Sequence, residues 1–353
     1  MSRSRTLFLA FSGRPVEDDE EVVEIKDGYE FWNLKKFTCD GFIDALKNKV
    51  PPVNDNVTRN YKISAETREP YGISEVIYEK CSWGLVITDT LEEGGSSYSE
   101  AMFLLNLYSP NFLYPIFHAD DMGITRHDSK KNPLIYFHTQ NHSIFTDENF
   151  VDFYKSLLDQ SVYANWDRDR VVNWNKEDWR LFVAALLYSG LPDYENSKDL
   201  FGWQRESAEM GTILESLFTA GDARNEEVTY RLRKRVAVLM GWKFPTIEKD
   251  VKELYKTRSS FVHGSFFEQI FKDNSHSNGD LPVPDFALLY RHKEYVRLAF
   301  VAYLYLAKII KSGEIVNVTN AMDALEQAIM DVGLREQIIA KSQKILTLVP
   351  ESN

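Results

Sequence analysis

The run Leu254-Tyr255-Lys256-Thr257-Arg258-Ser259-Ser260-Phe261-Val262-His263-Gly264 closes one apolar-periodic segment with an arginine and a histidine spaced as Arg-x4-His. Arginine carries a permanent charge and a fork of donors that matches phosphate oxygens. Histidine titrates near neutrality and either takes or gives a proton. Together they suffice for RNA transesterification, in which a 2′-hydroxyl attacks the adjacent phosphorus. His263 would move the proton and Arg258 would stabilise charge on the phosphorane-like transition state. That chemistry needs no metal, and no cofactor is expected. At 100° per residue the two positions lie about 140° apart around a helix. They meet only if the arginine swings toward the helix end or a second copy of the chain completes the cleft. The other role open to His263 is that of a helix C-terminal residue whose cationic form complements the helix dipole.

Three further groups bear on this pair. Tyr255 precedes Arg258 by one helical turn, where it either orients the guanidinium, stacks on a base or packs in a core. Ser259 donates and accepts hydrogen bonds but does not share proton transfer at neutral pH. The run Arg231-Leu232-Arg233-Lys234-Arg235 places Arg231, Lys234 and Arg235 on one helical face, with Leu232, Val236 and Leu239 toward a core. These cations are candidates for RNA contact or for ion pairs along a solvated flank, Glu227 with Arg231 being one such pair at i,i+4.

A second constellation, His118, Asp120, Asp121, His127, Asp128, His138 and His142, has residue types that suit a divalent metal. Its weak ligand set would be His118, Asp120, His138 and His142. Residues 134–137 read as a strand, however, and no compact ligand signature is present, so scattered loop residues are the simpler reading. Trp166, Trp174, Trp179 and Trp203 cluster around Asp167-Arg168-Asp169-Arg170 and read first as aromatic packing of the domain junction, with a ligand-stacking cage as the alternative. The chain contains no P-loop, dinucleotide glycine fingerprint, Gly-x-Ser-x-Gly or zinc-finger spacing.

The elements that must position these residues change character along the chain. Residues 5–11, 21–26, 61–65, 85–88 and 134–138 have the composition and flanking turns of strands. One helix is expected over 98–107, and polar, turn-rich loops over 51–60 and 123–133. The acidic run Glu17-Asp18-Asp19-Glu20-Glu21 reads as a solvated hairpin loop. From about residue 146 the period becomes helical, with helices expected over 147–160, 175–188, 206–219, 225–240, 247–263, 286–311, 321–330 and 335–346. Gly190 and Pro192 are expected to close the second of these. The expected fold class is α+β: an N-terminal mixed, β-rich domain over 1–145, then an all-α bundle over 146–353.

Composition sets the outer limits. Among 353 residues, 41 Lys and Arg stand against 53 Asp and Glu, a formal net charge of −12. That excludes nucleic-acid binding through an overall cationic surface but leaves room for a local basic cleft. Two cysteines, Cys39 and Cys81, build neither a disulfide framework nor a four-cysteine zinc site. The N-terminal apolar run is too short for a secretory signal, and no stretch approaches the ~18 apolar residues of a membrane span. A soluble, cytoplasmic protein without a membrane partner is expected.

Three ordered segments then carry a resemblance. Residues 213–218 (ILESLF), Glu226-Glu227 through Arg231–Gly241, and Leu254-Tyr255 through Arg258 to His263-Gly264 are together similar to the HEPN superfamily (higher eukaryotes and prokaryotes nucleotide-binding). They most resemble its Apea-like group. The similarity spans a motif core at residues 206–264, with the helix over 286–311 as the closing element of the bundle. The resemblance implies a homodimer formed through the HEPN domain, in which two Arg-x4–6-His motifs face one cleft. It implies metal-independent endoribonuclease activity on an RNA substrate, often as an abortive-infection or toxin-type antiviral effector. Arg258 and His263 match the motif pair. Many active members carry Asn, Asp or His directly after the arginine, where this chain has Ser259. The alternative is therefore a noncatalytic HEPN module that docks RNA, a nucleotide or a protein partner. By analogy with multidomain effectors, the N-terminal half is expected to sense a phage- or stress-derived trigger.

Overall fold

The computed structural model describes residues 4–11, 21–26, 28–50, 79, 81–90, 97–109, 116–120, 123–126, 148–157, 176–195, 202–219, 225–265 and 286–350. The chain divides into two compact units, Met1–Asn173 and Trp174–Asn353. The layout is α+β: an antiparallel sheet with helices in the first unit, helices in the second.

The first unit is built on strands β1 (Ser4–Phe11), β2 (Val22–Lys26), β3 (Tyr29–Asn33), β4 (Trp83–Thr90), β5 (Phe117–Asp120) and β6 (Gly123–Arg126). They form a six-stranded sheet in the order β2-β3-β4-β1-β5-β6, with antiparallel pairing throughout. Helices α1 (Cys39–Lys49), α2 (Ser97–Tyr108) and α3 (Glu148–Leu157) accompany it. Alternation along β1 sends Phe8 and Ala10 to one face, where they join Trp32, Val86 and Ala119 beneath Phe42 and Leu46 of α1. On the other face Phe11 stacks on Trp83 at 4.0 Å, and Phe31 meets Phe150 of α3 at 4.7 Å. Two glycines make this sheet possible. Gly28 adopts φ 82° at the β2–β3 turn, where a side chain would meet the Thr88 carbonyl. Gly84 leaves the space that the Phe8 ring occupies; a Cβ there would stand 2.2 Å from the ring.

The second unit holds α4 (Lys176–Glu195), α5 (Gly202–Phe218), α6 (Asn225–Met240), α7 (Ile247–Val262), α8 (Phe286–Lys311), α9 (Ala321–Ala328) and α10 (Val332–Leu346). The apolar stripe read from α5, Met210, Ile213, Leu214, Leu217 and Phe218, is fully buried. Helix α8 is buried almost all round from Tyr295 to Leu306 and forms the spine of this unit. Tyr303 of α8 donates a 2.8 Å hydrogen bond to Glu177 of α4. Arg235 of α6 reaches the Phe218 carbonyl at the end of α5.

Several expectations need adjustment. Helix α3 packs its Phe150 and Tyr154 on the sheet-bearing unit, so the division falls after residue 173 rather than 145. Helix α4 runs through Gly190 and Pro192 to Glu195; the burial of Tyr188 and Leu191 carries it past these two breakers. Strand β6 occupies part of the stretch read as a loop over 123–133. The expected strands at 61–65 and 134–138, residues 17–20 of the acidic run and the loop at 51–60 lie outside the described residues, as do Trp166, Trp174 and residues 167–170. Trp179 is 45% exposed on α4, with Phe182 edge-on to it. No helix among the described residues is long and apolar enough to cross a membrane.

Candidate functional site

Helix α7 is anchored at one end and open at the other. In its first turn the Asp250 carboxylate accepts from Thr246 Oγ1 at 2.8 Å and from the Tyr295 hydroxyl at 2.7 Å, tying α7 to the α8 spine. Arg291 stands 4.0 Å from the same oxygen. Burial, and then the bond to a carboxylate, push the Tyr295 phenol up to about 12. Along the helix Ile247, Val251 and Leu254 are buried at i, i+4 and i+7, and Arg258 continues that stripe.

Arg258 therefore points into the bundle rather than away from it. Its aliphatic stem lies on Gly211 of α5, where an added Cβ would come within 2.7 Å of Arg258 Cβ. Its guanidinium sits 2.9 Å from a carboxylate oxygen of Glu215, one turn further along α5, and 5.7 Å from the centre of the Tyr255 ring. The side chain is 22% exposed. Nε finds no acceptor, and the approach of the guanidinium to Glu215 lacks the angle of a directed hydrogen bond. Charge holds this pair together, and the unpartnered Nε is itself buried. Burial raises the Tyr255 phenol, with Glu215 adding to the shift and Arg258 opposing it.

His263 has the opposite setting. It is the C-cap of α7, its amide donating to the Ser259 carbonyl. Gly264 follows with φ 74°, a left-handed conformation that stops the helix. The imidazole is exposed and has no ion pair or hydrogen bond among the described residues. Between the two, Ser259 is half-buried, and the Ser260 hydroxyl is spent on the Lys256 carbonyl. The arginine and histidine thus leave one helix end in different directions, one packed against α5 and one toward solvent.

No family model, curated protein or solved structure matches this chain. The residues themselves therefore carry the reading of the site.

Three of the four cations of α6 lie against carboxylates inside the second unit; the fourth, Arg233, overlies the Tyr230 ring at 5.5 Å. Arg235 is 3% exposed; Nε and one terminal nitrogen bind Glu326 of α9 at 2.9 and 2.5 Å, and the other terminal nitrogen donates to the Phe218 carbonyl at 2.6 Å. Lys234 donates to Glu248 of α7 at 2.9 Å, and Arg231 lies 3.9 Å from Glu326. Burial withdraws Arg235 from any contact with a phosphate, and Arg231 and Lys234 each sit beside a carboxylate. His118 and Asp120 fall on β5. Their side chains, and both His138 and His142, lie outside the described residues. Among the described residues no group of three or more His, Cys, Asp or Glu side chains is placed to hold a metal ion.

Glu215 and Gly211 are the contributions that sequence spacing did not assign. They come from a helix some forty residues upstream of Arg258, and only their i,i+4 placement on one face of α5 hinted that they act together.

Proposed function

We propose that this chain is a metal-independent endoribonuclease of the HEPN type, acting as an antiviral effector, with Arg258 and His263 as its working pair. The observation that supports this reading is the contrast at the end of α7: a partly exposed arginine pre-set against Glu215 and Tyr255, and an exposed histidine five residues later. Their divergence on one helix favours a site shared between two copies, the arginine of one facing the histidine of the other. In that site one neutral imidazole takes the 2′-hydroxyl proton of the RNA. The oxygen attacks the adjacent phosphorus, the P–O2′ bond forms and the P–O5′ bond breaks. A protonated imidazole gives its proton to the departing 5′-oxygen, leaving a 2′,3′-cyclic phosphate and a 5′-hydroxyl. The Arg258 guanidinium stabilises the added charge on the phosphorane oxygens through the part of it that is exposed. The N-terminal unit is the natural receiver of a trigger.

The test is cleavage of RNA by purified protein in EDTA, with end-group analysis and solution mass. The expected result is a dimer that leaves cyclic-phosphate ends and that loses about 10²- to 10⁴-fold in rate on His263→Ala, the range for removing a general acid or base. RNA that is bound by the wild type and never cut, with a candidate trigger present, would make the protein a noncatalytic module. Activity abolished by EDTA would move attention to the histidines and aspartates of the first unit.

A further inference from the structure

Helix α7 carries a second group of cations on the face opposite its buried stripe. Lys249, Lys252 and Lys256 recur at i, i+3 and i+7, and His263 falls on the same side seven residues later. Lys249, Lys252, Lys256 and His263 are all exposed. None of the three lysines has an ion pair among the described residues, whereas Arg231, Lys234, Arg235 and Arg258 each lie within 4.0 Å of a carboxylate. The neighbouring acids are otherwise engaged: Asp250 is turned to Tyr295, and Glu248 holds Lys234. Among the described residues of α7, Glu253 is the exposed carboxylate left beside the stripe. In a chain of net charge −12, this leaves a local row of uncompensated positive charge that runs about 20 Å along the helix and ends at a free imidazole.

We propose that this face of α7 is a track for the backbone of single-stranded RNA, with Lys249, Lys252 and Lys256 on successive phosphates leading the strand toward His263. Charge complementarity identifies the occupant as a polyanion. A single strand fits better than a duplex because one row of lysines follows one backbone, and because in-line attack by a 2′-hydroxyl needs a backbone free to rotate. The long ammonium stems adjust to the phosphate spacing without demanding a base sequence, so the track gives affinity and direction rather than specificity. The direction of the path rests on the ribonuclease reading above, while the track itself is a statement about binding.

The experiment measures binding of a fluorescent single-stranded RNA 12-mer to full-length protein by anisotropy between 50 and 200 mM salt, in a His263→Ala background that removes cleavage. Each phosphate contact to a single strand contributes about 0.7 to the slope of log affinity against log salt. Combined Lys249→Gln, Lys252→Gln and Lys256→Gln should lower that slope by about 2, with an unchanged melting temperature. Lys344→Gln, an exposed lysine on α10, should leave it as it was, and Glu253→Gln should tighten binding. An unaltered slope in the triple variant overturns the track, as does a loss confined to duplex RNA or to phosphatidylserine vesicles. The two readings fail separately. Protein with an intact His263 that cuts RNA equally well with and without the three lysines keeps the nuclease and loses the track. Protein that never cuts but loses slope with the lysines keeps the track and loses the nuclease.

Discussion

Helices α6 and α7 are neighbours in sequence with similar numbers of basic residues, yet they use them in opposite ways. Three of the four cations of α6 turn inward or sideways: Arg235 is buried between Glu326 and the Phe218 carbonyl, and Lys234 and Arg231 lie against carboxylates, while Arg233 overlies the Tyr230 ring. Those on the outer face of α7 stand in solvent with no ion pair among the described residues. The α6 run is the denser in sequence and looked the better candidate for RNA. Density of charge is therefore a poor guide here; what matters is whether a carboxylate has already been supplied. An arginine that closes the gap between three helices stabilises the fold, and a lysine left without a partner is available to a ligand.

Four substitutions test this contrast. The largest effect is expected from Arg235→Ala, which removes a buried guanidinium from two partners and opens a cavity. A loss of about 3 kcal/mol in urea-induced unfolding is expected, with the salt slope of RNA binding unchanged. A small stability loss together with a lower slope would erase the distinction between the two helices. Gly211→Val comes next, since its side chain would occupy the space of the Arg258 stem. About 2 kcal/mol should be lost, and Arg258 displaced from Glu215, which lowers any RNA cleavage before unfolding sets in. Tyr295→Phe removes the hydroxyl that ties α7 to its neighbour and should cost about 1 kcal/mol at neutral pH. The wild-type phenol is raised from 10.0 to about 12. The folded state thus holds that proton more tightly, and the associated stability is complete below pH 10 and lost as pH climbs through 12. The Phe variant should show a flatter alkaline limb in the same denaturation series. Smallest is Lys234→Ala, whose half-exposed pair with Glu248 should contribute less than about 0.5 kcal/mol. A loss of several kcal/mol there would mean that α6 depends on its surface pairs as much as on Arg235.

The helices were far more legible in the sequence than the sheet. The bounds of α6 and α8 follow from their caps and apolar period, and the α5 stripe is buried residue for residue as its spacing indicates. Strand β3 and helix α1 were not anticipated. The Asp27-Gly28 pair is a hairpin signal that would have found β3, and Thr38, whose hydroxyl accepts from the Gly41 amide, caps α1. Strands β5 and β6 are four residues each, too short for alternation to stand out. At the site, Arg258 and His263 were legible because they share one helix. Glu215 and Gly211 were not, because their role depends on how α5 packs against α7, and one-dimensional spacing carries no record of that packing. The lysine row was present in the sequence, but only the structure separates paired cations from unpaired ones.

The glycine at position 84 governs how β1 and β4 can align. Sliding one strand by two residues would keep every side chain on its proper face, so the ordinary inside–outside pattern offers no protection against that error. The Phe8 ring, however, fits only over a position with no side chain; after such a slide it would collide with a neighbour that has one. Misaligned chains are thereby rejected by shape at a single point.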